Sequence, residues 1–181
     1  MELQRKDAAR NRTRILDVAR EAASRGEDLT LNAIARAAEI GVGTVYRHFA
    51  SVEALEEALV WERFDELGEL LRAASPDGIE QVLRVHFGLL VGDPLFERVT
   101  SRTEVAHENT AVLRRDLIES LTDLLRRAKM AGLIRPDLEA EDLLALLCGL
   151  AHGVRMLAIT SSNPRAQHLF RILLDGLRAE R

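Results

Sequence analysis

The run Val42-Gly43-Thr44-Val45-Tyr46-Arg47-His48-Phe49 places a hydroxyl, a phenol, a guanidinium and an imidazole within one short stretch. This is hydrogen-bonding chemistry rather than bond-breaking chemistry. Thr44 can donate a hydrogen bond or touch a thymine methyl, and Val42 offers only apolar contact. Arg47 can fork onto guanine or hold a phosphate, while Tyr46 and His48 suit phosphate oxygens. Gly43 adds no side chain to the same face. The Thr30 hydroxyl and the free N–H groups that open the helix after it form a second anion-binding point. Elsewhere the reactive groups do not converge. Cys148 is the single cysteine and lies in an apolar segment, where a structural thiol is expected. His86, His107 and His152 have no metal-ligand spacing, and Cys148 with His152 makes a poor two-ligand start. The expectation is therefore no enzyme, no metal and no cofactor.

Those residues need elements to position them. Thr30 is a good N-cap for a short helix over Leu31–Ala37, and a second short helix fits Val42–His48. Helices of this length are unstable alone in water, so they need a tight turn and a shared core, here Ile34, Ala35, Ala38, Ile40 and Val45. Ala35 is small where the second helix would cross. This is helix-turn-helix geometry, with the second helix entering the major groove, although pairs of short helices also serve purely structural ends. Before the pair, apolar positions from Ala8 to Ala23 suit one helix with Gly26 past its end. After it, Ser51 can cap a long helix reaching Ala73–Ala74. Ile79, Val82, Leu83, His86, Phe87 and Leu90 mark an amphipathic helix that Gly92-Asp93-Pro94 interrupts. A weakly patterned stretch, Leu95–Glu108, separates it from helices over about 110–131 and 141–160, and from a last helix opened by Pro164. With no strand alternation, the reading is all-α, about nine helices.

Composition agrees and removes other classes. The 181 residues are 47% hydrophobic and 30% charged, which excludes a disordered chain. No apolar run approaches the ~18–20 residues that span a bilayer, so the expectation is a soluble, cytoplasmic protein without a membrane partner. The formal net charge of -4 points away from nucleic acid until it is divided. Residues 1–50 carry nine Lys+Arg against seven Asp+Glu, net +2, and residues 51–181 carry 16 against 22, net -6. The expected domains follow this split, a reading head over 1–50 and a regulatory domain over 51–181.

The run from Ile15-Leu16 through Thr30, Ile34-Ala35 and Gly43-Thr44-Val45-Tyr46-Arg47-His48-Phe49 to Glu53-Ala54-Leu55 resembles the DNA-binding domain of TetR-family transcriptional regulators. The likeness covers residues 10–60 and centres on the Gly-Thr-x-Tyr-x-His-Phe motif. It implies an all-helical homodimer, usually a repressor that leaves a palindromic double-stranded DNA operator when a small-molecule effector binds. It assigns phosphate roles to Thr30, Tyr46 and His48, and the recognition face to Val42, Gly43, Thr44 and Arg47. Three positions depart from the family pattern. Glu39 stands where the turn often has Gly, which costs about 1 kcal/mol if φ is positive there. Gly41 replaces the usual Ser N-cap. Val52 stands where a phosphate-touching Lys is common, and Arg5, Lys6, Arg10 and Arg12 of the N-terminal arm are the candidates to compensate. These departures keep an alternative open: a small-molecule-binding or protein-interaction module with weakened DNA binding.

For the effector pocket the sequence offers apolar walls at Trp61, Phe64, Phe87, Leu90, Phe96 and Val99, with His86, Arg102, Glu104 and Asn109 as polar groups. Each has a plain alternative, core for the apolar residues and His86, solvent for the other three. The helix over 141–160 is apolar nearly all round. Leu146, Leu150, Val154 and Leu157, with Gly149 and Gly153 allowing close approach, join Leu169, Phe170, Leu173 and Leu177 of the last helix as candidates for the two-helix-per-subunit dimer bundle that the resemblance implies.

Overall fold

The computed structural model describes residues 2–179, with side chains from Lys6 onward. Among them are nine α-helices: α1 Glu2–Ser24, α2 Leu31–Ala37, α3 Val42–His48, α4 Val52–Ala73, α5 Ile79–Gly92, α6 Pro94–Ser101, α7 Glu108–Met130, α8 Ala140–Met156 and α9 Pro164–Leu177. A 3-10 turn at Pro76–Gly78 precedes α5, and a single antiparallel bridge joins Ile134 to Arg178. No described helix is long and apolar enough to cross a membrane.

The chain divides into two compact units. The first comprises residues 1–61 and 103–111, so it takes in the first turns of α4 and a segment from far along the sequence in addition to residues 1–50. Its core is Ile15, Ala19, Leu31, Ile34, Ala35, Ala38, Val45, Phe49 and Leu55, all buried. Caps set the ends. Ala33 N–H donates to the Thr30 hydroxyl at 3.2 Å, and Ala54 N–H to the Ser51 hydroxyl at 3.2 Å. Helix α1 closes on Gly26 at φ 72°, with Glu27 N–H donating to the Ala22 carbonyl at 3.1 Å. Helix α2 closes in the same way: Ile40 N–H donates to the Ala35 carbonyl at 2.9 Å, which puts Glu39 at φ 52°. The turn does require positive φ, and here a glutamate bears it. Its carboxylate accepts from Arg14 at 2.9 Å, pinning the turn to α1.

The second unit holds residues 62–102 and 112–181. Helix α5 packs on α6 and α8, and α8 on α9. Phe87 stacks on Phe170 with centroids 4.8 Å apart, and Phe96 meets Phe64 at 5.0 Å. The stretch expected to be weakly patterned is half helix. Asp93 caps α6 by accepting from Leu95 N–H and Phe96 N–H at 3.1 and 3.0 Å, with Pro94 in the first turn. Phe96, Glu97 and Val99 are buried. Helix α8 ends at Met156 rather than Thr160, because Ala158 turns to φ 53°.

Candidate functional site

In the first unit α3 buries only Val45, and that one anchor leaves the rest of the helix for contact. Val42 and Tyr46 are 42% and 48% exposed, Gly43, Arg47 and Thr30 are exposed, and Thr44 and His48 are half-buried. Arg47 lies along this face, its Nη2 donating to the Thr44 hydroxyl at 2.9 Å and its Nε to the Gly43 carbonyl at 3.3 Å. The guanidinium is thus held over the outer surface with donors to spare. His48 titrates below the usual histidine range because burial disfavours the charged ring and Arg12 and Arg47 repel it. At neutral pH it offers a neutral imidazole. All seven positions named from the sequence fall in this unit, six of them on one helix and Thr30 at the start of its neighbour.

The arm is engaged in ways the sequence did not reveal. Arg10 pairs with Asp7 and Arg14 with Glu39. Arg12 lies over the rings of Phe49 and Trp61, each at 5.3 Å, a cation–π contact that ties α1 to the end of α3 and to the middle of α4. The Arg5 side chain lies outside the described residues. Val52 opens α4 half-buried.

Trp61 is not a cavity wall. Its indole Nε1 donates to the Thr110 hydroxyl at 2.9 Å, and its ring meets His107 edge-on at 4.7 Å. Beside it the buried Glu57 accepts from Ala106 N–H and His107 N–H at 2.7 and 2.9 Å. These contacts moor residues 103–111 to the first unit, where Glu104 and Asn109 are exposed.

The second unit holds a cavity of about 370 Å³, partly open to solvent, between α4, α6, α7 and α8. Phe64, Leu117, Ile118, Leu144 and Ala145 make its apolar wall, and Thr100, Ser101, Arg114, Glu141 and Cys148 its polar part. Of the residues named from the sequence only Phe64 lines it. Leu90, Phe96, Phe87 and Val99 are fully buried core. His86 is 2% exposed, edge-on to Phe96, and burial pushes its imidazole down to about 4. Its Nε2 finds no hydrogen-bond partner among the described residues. Arg102 is half-buried outside the lining, its carbonyl accepting from Arg114 Nη1 at 2.8 Å. Burial and the nearby Glu97 carboxylate push the Cys148 thiol above its usual value, which makes it a poor nucleophile.

On α8 the inward row is Leu143, Leu147, Ala151 and Val154, and on α9 it is Ala166, Phe170, Leu174 and Leu177. Val154, Phe170 and Leu177 are therefore spent inside the chain's own core and are unavailable as surface. Leu146, Gly149, Gly153 and Leu157 face outward, with Leu150, Leu169 and Leu173 half-buried. Met156 and Ile172, 74% and 56% exposed, add to the exposed apolar surface of α8 and α9.

Residues 15–59 match the family model for bacterial regulatory proteins of the tetR family, and residues 89–179 match that of the SbtR-like transcriptional regulator C-terminal domain. The chain is 28% identical over 170 residues to the HTH-type transcriptional regulator UidR of Escherichia coli K12, covering 82% of this chain and 81% of that one. It is 32% identical over 120 residues to the HTH-type transcriptional repressor KstR of Rhodococcus jostii, covering 63% and 57%. Among solved structures, the transcriptional regulator SCO0520 of Streptomyces coelicolor is 30% identical with a TM-score of 0.54, over 94% of this chain and 99% of that chain.

Proposed function

This chain belongs to the TetR family of bacterial regulatory proteins, and we propose that within it the protein is a homodimeric repressor that holds a palindromic operator and releases it when a small molecule fills the cavity. The observation that carries the reading is the outer face of α3, where Thr44, Tyr46 and Arg47 stand clear of the core on a helix fixed by one buried valine. Thr44 and Arg47 read base edges in the major groove, Val42 and Gly43 let the helix approach, and Tyr46, His48 and Thr30 hold phosphates. The likeness to a named repressor supports the direction of regulation. The unpartnered apolar face of α8 and α9 supports the dimer, which presents two heads one helical turn apart, ~34 Å. Helices α4 and α7 each run from one compact unit into the other, so a ligand that shifts either helix has a covalent route to the head.

Operator selection from random duplexes, followed by titration of binding against salt, tests this. A palindromic consensus with steep salt dependence is expected, and Tyr46→Ala with Arg47→Ala together should abolish binding. Undiminished affinity in that double variant would refute the assignment of α3.

A further inference from the structure

We infer that the cavity takes an amphipathic organic anion, an apolar body ending in a carboxylate that Arg114 holds; this rests on reading the cavity as the effector site. At about 370 Å³ the space lies toward the small end of the ~300–1,000 Å³ typical of small-molecule pockets, and Phe64, Leu117 and Leu144 give it an apolar body-binding wall. Its polar groups decide the charge of the occupant. Arg114 is half-buried, and its one hydrogen bond among the described residues is to the Arg102 carbonyl at 2.8 Å. Three other half-buried arginines of the same unit are neutralised by carboxylates: Arg63 by Asp93 at 3.2 Å, Arg127 by Asp123 at 2.9 Å and Arg155 by Glu97 at 2.6 Å. Arg114 alone of these four lacks a carboxylate within ion-pair distance among the described residues. A guanidinium partly stripped of water and left without a counter-charge is the group a carboxylate satisfies best, through two parallel N–H···O bonds.

The hydroxyls nearby do not compete for that role. Thr100 donates its proton to the Phe96 carbonyl at 2.7 Å and Ser101 to Glu97 at 3.5 Å. Arg114 is thereby the strong donor left in the wall. Glu141, the carboxylate of the lining, is exposed, so water and salt screen it more than Arg114 is screened. Glu97, which reaches Ser101 and Cys148 of the lining, is already paired with Arg155 at 2.6 Å, so an anion is favoured at the Arg114 end of the cavity rather than at the Cys148 end.

Calorimetric titration of the full chain with decanoate, decan-1-ol and decylamine tests the inference, using three probes with one tail and different heads. Wild type should prefer decanoate to decan-1-ol by about tenfold or more, and Arg114→Gln should lose about ten- to a hundredfold for decanoate while holding decan-1-ol unchanged. Arg114→Lys, which keeps the charge without the fork, should fall between. Glu141→Gln should tighten decanoate by about two- to threefold. Decanoate binding unaffected by Arg114→Gln would overturn the inference, as would a wild-type preference for decylamine or decan-1-ol. In either case a ligand-filled cavity survives, whereas a chain that binds none of the three loses the effector-site reading as well. Should Arg114→Gln fail to give native helical ellipticity, the wild-type preference and the Glu141→Gln shift decide on their own.

Discussion

His86 sets an acid limit on the stability of the second unit. The imidazole is 2% exposed on α5, against Phe96, and its titration is pushed down to about 4 from an ordinary value of 6.5. Above pH 6.5 the ring is neutral in both folded and unfolded chains, and His86 contributes no pH dependence. As pH falls through 6.5 the unfolded chain takes up a proton that the folded chain refuses, so stability declines by about 1.4 kcal/mol per pH unit until the folded ring itself protonates near 4. Between pH 7.5 and 5 the loss from this one group is about 2 kcal/mol, a large part of a domain's usual margin. Urea unfolding followed by helical ellipticity at pH 7.5, 6 and 5 measures it. Other groups contribute to the wild-type slope, so the decisive quantity is the difference between wild type and His86→Leu, a swap that keeps an apolar side chain of similar size without a titrating group. His86→Leu should lose about 2 kcal/mol less than wild type over that range. Parallel pH profiles for the two proteins would show that the ring is not held neutral by burial, and would refute the reasoning.

Other perturbations follow from single contacts. Glu39→Gly should raise unfolding free energy by about 0.5–1 kcal/mol, because relief of positive φ outweighs both glycine's extra chain entropy and the exposed Arg14 pair; a denaturation midpoint at or below wild type would contradict this. Val52→Lys should steepen the slope of log affinity against log salt by about one and strengthen binding to every duplex, as measured by anisotropy at several salt concentrations. Leu146→Asp with Ile172→Asp should turn the proposed dimer into monomers in light scattering while leaving the helical content intact, since both side chains already face outward. Glu57→Leu should cost about 2–3 kcal/mol by stranding the Ala106 and His107 N–H groups, seen as a lower melting temperature.

The helical order was legible because local chemistry marks it. Gly26 and Gly132 both adopt positive φ just past a helix, and Thr30, Ser51 and Asn163 are polar caps that accept backbone N–H groups. Helix α6 escaped for a physical reason: eight residues show too few turns for a period to emerge, and its strongest signal, Asp93-Pro94, also reads as a break. Helix α3 was legible since the six positions read from it fall within seven consecutive residues, broken only by the buried Val45. The cavity was not, because its lining comes from four helices whose residues run from Phe64 to Cys148, and packing alone decides which of their faces meet. The same holds for α8. An all-round apolar helix has an inner and an outer row, and only its seat against α5 and α9 assigned Val154 to the first and Leu146 to the second.

The net charge of -4 also changes meaning once the pairs are known. Several of the head's cations are matched within the chain: Arg10 with Asp7, Arg14 with Glu39, Arg20 with Asp17, and Arg25 with both Glu21 and Glu27. Every one of these pairs is solvent-exposed, so each contributes little and can exchange its carboxylate for a phosphate at small cost. Arg47, by contrast, is fixed by Thr44 and Gly43 on the outer face of α3, the face proposed to meet bases. On the proposed reading the first unit separates two kinds of charge, exposed paired cations for a sequence-independent hold and one positioned guanidinium for readout. On that reading, with the rest of the chain acidic, the sequence-independent hold is weak and specificity rests more heavily on α3. For the proposed ligand-released repressor, a weak general affinity is what lets a small ligand-induced change remove it from an operator, since the energy available from ligand binding is limited to its differential affinity for the two states.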